Sequence, residues 1–151
     1  MGTTLFTDPS VYPAQTLWQP YAGLVELGLK TIETRRTRTC LRGYLVICAG
    51  LAVDREALHR LRTELVGSGR VSAERFDRAT SRRGVAVAIG RVVDCRKLME
   101  TDRARSFWWD EKEPRWAWEI EDLRALTPFP VRGVPGFFSI LRPDVHEALL
   151  G

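Results

Sequence analysis

The residues best suited to binding or proton transfer lie close together in the first third of the chain. Lys30, Glu33 and Arg35 follow within a few residues of Gly28, which ends an apolar segment. Arginine binds phosphate or carboxylate bidentately. A buried lysine whose pKa is lowered can act as a base or a nucleophile. A carboxylate can orient the lysine or accept hydrogen bonds from a base amino group. The cluster therefore predicts a site for a polar, anionic ligand.

Polar and aromatic residues flank this cluster on both sides. Gln19 precedes Pro20 at the start of the apolar segment, where free backbone N–H groups at a helix start would attract an anion. Trp18 is expected to belong to the core with Trp116 and Trp118, although a tryptophan at a cleft edge could stack on a base. Gln19 and Trp18 are thus candidate ligand contacts.

Further cations follow the cluster. Arg36, Arg38 and Arg42 extend its positive charge. Two interpretations stay open, since such a run is either a solvated strand face or a track for a nucleic-acid backbone.

The composition excludes several classes of function. The chain has 151 residues, a net charge of +4 and only two histidines, and its three cysteines are widely spaced. A zinc site and a histidine-activated nucleophile are therefore not expected, and no cofactor is indicated. Free thiols and the absence of a secretory signal or membrane-spanning run predict a cytoplasmic protein without a membrane partner.

The first elements must position the cluster. Residues 1–14 are expected to form an irregular arm, and a helix follows Pro20. Residues 30–36 alternate as a strand, which places Thr31, Glu33 and Arg35 on one face. Lys30 can join Glu33 only from the turn before that strand or from a bulge.

The remaining pattern predicts short strands and inserted helices. Asp54 and Ser72 are expected N-caps of two helices. The predicted later elements are strands 44–49, 84–93, 115–121 and 136–141, helices 54–67 and 72–80, and a terminal helix from Pro143. Five or six strands with helices inserted early favour an α+β fold, a small mixed β-barrel with helices packed around it.

The segment QPYAGLVELGLKTIETR resembles the QP-x-A-x-L-x₃-G-x-K-x₂-E-x-R signature of ASCH domains, members of the PUA-like superfamily. Four later segments match in order: Arg42-Gly43 with LVICA, GVAVAIGRVVDC, WAWEIEDLRAL and PFPVRGVPGFFSI. The resemblance implies a PUA-like domain over residues 15–151 with a ligand cleft beside the first helix.

The resemblance also implies a nucleic-acid or nucleotide ligand. Some bacterial relatives are amidohydrolases that act on N4-acetylcytidine through a lysine and a threonine three residues later. Lys30 matches that lysine, but Glu33 stands in the threonine position. We therefore expect binding of RNA, single-stranded nucleic acid or a nucleotide-like molecule.

Catalysis is the alternative. An amidohydrolase would use Lys30 and Glu33, and ribonuclease activity is also attributed to the family. A third possibility is a protein-interaction adaptor that uses Trp108 and Trp109.

Overall fold

The computed structural model describes residues 8–151, which contain six strands and five α-helices. The strands are β1 (Val11–Gln19), β2 (Ile32–Arg35), β3 (Gly43–Val53), β4 (Val85–Lys97), β5 (Trp116–Pro130) and β6 (Phe138–Leu141). The helices are α1 (Tyr21–Glu26), α2 (Arg55–Gly67), α3 (Ala73–Thr80), α4 (Arg103–Ser106) and α5 (Arg142–Leu150), and a 3₁₀ turn spans Glu100–Asp102. The strands form one sheet in the order β2-β5-β4-β3-β1-β6.

Alternating apolar residues build two cores from this one sheet. One face carries Leu17, Leu45, Val87 and Trp118 into the interior of the curved sheet. The other carries residues such as Val46 into a core completed by α5. This two-sided burial explains why β3 and β4 read as almost continuously apolar.

The sheet curls until its first edge approaches β1. Arg35 Nη2, at the end of β2, donates a hydrogen bond to the backbone oxygen of Thr16 at 3.2 Å. Across the interior, the Trp118 ring stacks on Phe137 with centroids 5.6 Å apart. The expected α+β fold with a small mixed barrel is confirmed.

Side-chain caps fix two helices where the sequence places them. Asp54 accepts a hydrogen bond from the Ala57 N–H at 3.0 Å, and Ser72 accepts one from Arg75 N–H at 3.2 Å. Such caps satisfy N–H groups that the helix itself leaves unpaired. No helix among residues 8–151 is long and apolar enough to cross a membrane.

The expected N-terminal arm is too long by four residues. β1 begins at Val11, and Pro13 lies buried within it rather than breaking it. β3 pairs with β1 only from Ala14 onward, so the missing N–H of Pro13 interrupts no pairing with β3. Residues 1–7 of the expected arm lie outside the described residues.

β4 and β5 extend beyond the apolar residues from which the sequence predicts them. β4 and β5 pair from Val85 opposite Pro130 to Lys97 opposite Trp116, whereas the sequence predicts strands ending at residues 93 and 121. Polar residues such as Arg96 continue the ladder because backbone hydrogen bonds do not require apolar side chains. Register shifts between Ile89 and Arg91, and on either side of them, interrupt the regular pairing around Gly90.

Candidate functional site

A buried ionic chain links Lys30, Glu33 and Arg35. Lys30 Nζ lies 3.4 Å from Glu33 Oε1, and Arg35 Nε lies 2.9 Å from Glu33 Oε2. The exposed fraction is 1% for Lys30, whereas the side chain of Arg35 is 30% exposed. Glu33 thus holds two cations, of which Arg35 alone extends toward solvent.

Lys30 joins this chain from the turn before β2, as the alternation requires. Its Nζ donates to the backbone oxygens of Ile32 at 2.6 Å and Ser106 at 2.7 Å. Burial lowers the pKa of Lys30, and the Glu33 carboxylate opposes that decrease. The ammonium therefore connects β2 to the end of α4.

Tyr21 is a further neighbour of the Lys30 amino group. Lys30 Nζ lies 5.7 Å from the centroid of the Tyr21 ring. Burial raises the pKa of the Tyr21 phenol, and the carboxylate of Asp54 adds to the increase. The phenol is therefore a hydrogen-bond donor at neutral pH.

A cavity of about 540 Å³ opens where Arg35 reaches the surface. We call it the mouth cavity. It lies along the edge of β1 beyond Ala14, where the pairing with β6 ends. Its walls come from β1, the last residue of β2, the end of β3, the residue before β4 and the loop before β6: Gln15, Thr16, Trp18, Arg35, Ala49, Gly50, Leu51, Gly84 and residues 131–136.

Three polar atoms in the walls of the mouth cavity are incompletely satisfied. Gln15 Oε1, Thr16 Oγ1 and Arg35 Nε are buried and have no hydrogen-bond partner among residues 8–151. Arg35 Nε is close to Glu33 but is poorly aligned for a hydrogen bond. Buried polar groups are rarely left unpaired, and the oxygens of Gln15 and Thr16 are two such groups in the walls of one cavity.

Two glycines allow Thr16 to occupy this wall. A Cβ at Gly50 would lie 2.6 Å from Thr16 Cγ2, and one at Gly133 would lie 2.5 Å from Thr16 Oγ1. Any larger residue at either position would displace the threonine. Gln15, Thr16 and the loop at Gly133 were not singled out by the sequence, although a polar pair inside an otherwise apolar strand is a usable signal.

Trp18, a predicted ligand contact that was also expected to belong to the core, lies at the surface. Trp18 lies in the mouth cavity and is 58% exposed, so its assignment to the core is wrong. The core formed with α5 covers Tyr12 and Ala14 but does not extend to Trp18. Trp118 is a core residue as expected.

Gln19 is fully buried, and its amide is already used within the protein. Its Oε1 accepts from Gly23 N–H, and its Nε2 donates to the backbone oxygens of Ala79 and Arg82. Gln19 therefore connects the first turn of α1 to the end of α3, and both polar atoms of its amide are engaged in this connection.

The other predicted contacts lie outside the mouth cavity. Thr31 pairs by its backbone with Arg105, and Arg36 is exposed and lies 3.8 Å from Glu113. Arg38 stacks on Trp116, and Arg42 donates to two backbone oxygens in its own turn.

A second cavity, of about 780 Å³, lies between α2 and α4. We call it the helical groove. Tyr21, Phe107, Trp108 and Trp109 line it together with charged residues of both signs. Trp108 and Trp109 also pack against a small core at Ile32, so they are half-buried rather than exposed. Lys30 and Glu33 line neither cavity.

Metal sites in proteins are usually built from His, Cys, Asp and Glu side chains. Among the described residues 8–151, no three such side chains lie close enough to hold an ion.

A curled mixed sheet with helices packed around it is the architecture of a PUA-like domain. The chain belongs to the ASCH domain family, whose model matches residues 16–130. No curated protein matches it.

Solved structures of the Zymomonas mobilis ASCH protein share the fold. The protein itself is 14% identical, with a TM-score of 0.53, over 91% of this chain and 92% of that one. Its tyrosine-to-phenylalanine variant is 11% identical, with a TM-score of 0.54, over 89% and 94% of the two chains. Its serine-to-alanine variant is 11% identical, with a TM-score of 0.55, over 89% and 92%. These identities support the fold alone.

Proposed function

We propose that the chain binds RNA, single-stranded nucleic acid or a nucleotide-like ligand in the mouth cavity. One observation carries the proposal: Arg35, held by the buried Glu33, forms a cavity wall together with the exposed Trp18. A fixed cation beside an exposed aromatic ring matches the phosphate and the base of one nucleotide.

The buried part of the motif acts through Arg35. Lys30 and Glu33 do not line the cavity, so they position Arg35 rather than contact the ligand. A preordered guanidinium loses less side-chain freedom on binding, which favours affinity. Membership of a PUA-like family often linked to RNA binding supports this assignment.

The sequence places the binding unit at residues 15–151. We propose that it also includes residues 11–14, because β1 starts at Val11. A cytoplasmic location is part of the proposal. Cys40, Cys48 and Cys95 are free thiols, as expected for a reducing compartment.

Binding of a labelled single-stranded RNA at low salt, followed by fluorescence anisotropy, tests the site. Arg35→Ala should weaken binding by about tenfold or more, as expected for loss of a charge-assisted contact of about 1.5–3 kcal/mol. Arg36→Ala is the matched control, because the neighbouring arginine lies outside the cavity, and it should change affinity much less. Equal affinities of both variants and the unaltered protein would exclude the mouth cavity as the site.

A hydrolase is the second candidate, favoured by the lowered pKa of Lys30 beside Glu33. A neutral lysine could serve as a base or nucleophile toward an amide on a modified nucleoside such as N4-acetylcytidine. Its Nζ is committed to two backbone oxygens, which argues for a structural role. Release of acetate from N4-acetylcytidine by the unaltered protein, lost in a Lys30→Met protein that circular dichroism shows to be folded and retained in Arg36→Met, would establish the hydrolase.

A further inference from the structure

Two cysteines lie where the loop between β2 and β3, residues 36–42, meets β4. The backbone N–H of Thr39 donates to Cys95 Sγ at 3.5 Å, and Cys40 is the next residue along the chain. We propose that Cys40 and Cys95 form an intramolecular disulfide when the protein is oxidised by a peroxide. This inference is independent of the proposed function.

Contacts on both sides of Cys40 hold it beside β4. Thr39 touches the sulfur of Cys95, and Leu41 packs into the same interior core as Cys95. The Leu41 N–H also donates to Thr39 Oγ1 at 3.1 Å, which closes a turn around Cys40. Because successive Cα atoms are about 3.8 Å apart, Cys40 lies within one residue's length of the atom that contacts the sulfur.

The rest of the loop rests on the neighbouring strand β5. Trp118 Nε1 donates to the backbone oxygen of Thr37 at 3.2 Å, and the Arg38 guanidinium lies 4.9 Å from the centroid of the Trp116 ring. Trp118 is also the residue of β5 that pairs with Cys95. A disulfide needs Cα atoms about 4.4–6.8 Å apart. Residues 36–42 belong to no helix or strand, so the loop can adjust to this spacing without breaking a ladder.

Accessibility assigns a different role to each thiol. Cys40 is exposed and meets the oxidant first, whereas Cys95 is half-buried against the loop. The Cys40 thiolate attacks one oxygen of hydrogen peroxide, the O–O bond breaks, and a sulfenic acid and one water form. The Cys95 thiolate then attacks the Cys40 sulfur, the S–O bond breaks, and the hydroxide leaves as a second water. The two thiols together lose two electrons and two protons.

Cys48 provides the internal control for this reaction. It is buried in β3, away from the peroxide, and should stay reduced in the folded protein. Disulfides of proteins in reducing compartments are usually transient and redox-sensing, which fits a bond that forms only on oxidation.

Oxidation of the purified protein with hydrogen peroxide, followed by denaturation in N-ethylmaleimide and non-reducing peptide mass spectrometry, tests the inference. The expected product is one peptide pair joined through Cys40 and Cys95, with Cys48 carrying the maleimide. Cys48→Ala should give the same cross-link, and dithiothreitol should remove it. Cys95→Ser should instead leave a sulfenic acid on Cys40, which dimedone traps.

Urea denaturation gives a second readout, because a cross-link that constrains the unfolded chain should raise the denaturation midpoint of the oxidised protein. Cys95→Ser should show no such rise after the same treatment. Cross-links that join only separate molecules, or a Cys95 that reacts with N-ethylmaleimide as fully after oxidation as before, would overturn the inference.

Discussion

The Lys30 amino group lies where water is excluded, and three oxygen atoms surround it. Two backbone oxygens accept from Nζ, and Glu33 lies 3.4 Å away. Burying an ammonium costs several kcal/mol unless such partners surround it. Lys30 therefore stabilises the fold mainly by connecting β2 to α4.

Replacement of Lys30 by methionine should destabilise the protein by on the order of 3 kcal/mol, because it leaves Glu33 and two carbonyl oxygens with fewer partners in the interior. Urea denaturation monitored by circular dichroism measures the change. Arg36→Met removes a cation from an exposed position of the same segment and should stay within about 0.5 kcal/mol. A Lys30→Met protein as stable as Arg36→Met would contradict the structural role.

Side-chain roles were predictable where local periodicity decides them. The alternation of residues 30–36 left a turn before the strand or a bulge as the two positions for Lys30, and β2 begins only at Ile32, so the turn is the correct one. The role of Gln19 was not predictable, because its partners Ala79 and Arg82 come from a helix end about 60 residues away. Trp18 was misassigned because its exposure depends on where β6 and α5 stop covering β1.

At the scale of elements, Arg96 attaches the 3₁₀ turn before α4 to the sheet. It donates to both carboxylate oxygens of Asp102 at 2.9 Å and to Glu119 at 2.8 Å. Because α4 carries the backbone oxygen of Ser106, this attachment also fixes the environment of Lys30.

The Arg96–Asp102 pair should make stability depend on pH. Hydrogen bonding to Arg96 lowers the pKa of Asp102 below 3.8, so its contribution is present at neutral pH and is lost as the pH falls through that lower value. Asp102→Asn should cost about 1–3 kcal/mol near neutral pH and less under strongly acidic conditions.

Urea unfolding at a series of pH values measures this difference. Asp77→Asn is the control, because Asp77 forms an exposed pair with Arg62 and its loss should matter little. An Asp102→Asn effect that stays constant down to strongly acidic pH would show that the ionised carboxylate is not its source.

The close packing of Gly90 in β4 can be tested by substitution. A Cβ there would lie 2.4 Å from Ile120 Cγ2 and 2.7 Å from Leu123 Cδ2. Gly90→Ala should therefore destabilise the protein by about 1–3 kcal/mol through overpacking. Gly67→Ala, in the last turn of α2 with open space around it, should instead stabilise by about 0.5–1 kcal/mol. Thermal unfolding of both variants would refute this account if their shifts had the same sign.

Helices that begin at a capping residue were predictable from the sequence, whereas strand segments that depend on pairing with a distant strand were not. The caps at Asp54 and Ser72 correctly located α2 and α3. The outer parts of β4 and β5 have no apolar alternation from which a strand could be predicted. They are strands because each forms a backbone ladder with the other. The mouth cavity belongs to this second class, because it forms only where β1, β3 and the loop before β6 meet.

At the scale of the whole molecule, the three thiols differ in accessibility. Cys40 is exposed, Cys95 is half-buried and Cys48 is buried in β3. Burial raises the pKa of the Cys48 thiol to about 12, and thiolates are the species that alkylating agents attack.

Iodoacetamide should therefore modify Cys40 rapidly in the folded protein, whereas Cys48 should react only when the sheet opens. Peptide mass spectrometry over time gives both rates. The Cys48 rate should rise in urea in step with loss of circular dichroism, which makes this thiol a reporter of global unfolding. Modification of Cys48 at the rate of Cys40 in native buffer would show that the sheet opens locally.

The pairing of β1 with β6 has a consequence for synthesis of the protein on the ribosome. Val11 lies opposite Leu141, so the first strand described gains its second neighbour only when β6 has been made. Contacts between residues so distant in sequence form slowly and late. The nascent chain can already carry the complete Lys30–Glu33–Arg35 segment while Thr16 still lacks the Gly133 loop beside it. The mouth cavity can therefore form only after the Gly133 loop has been synthesised, more than 100 residues after Thr16.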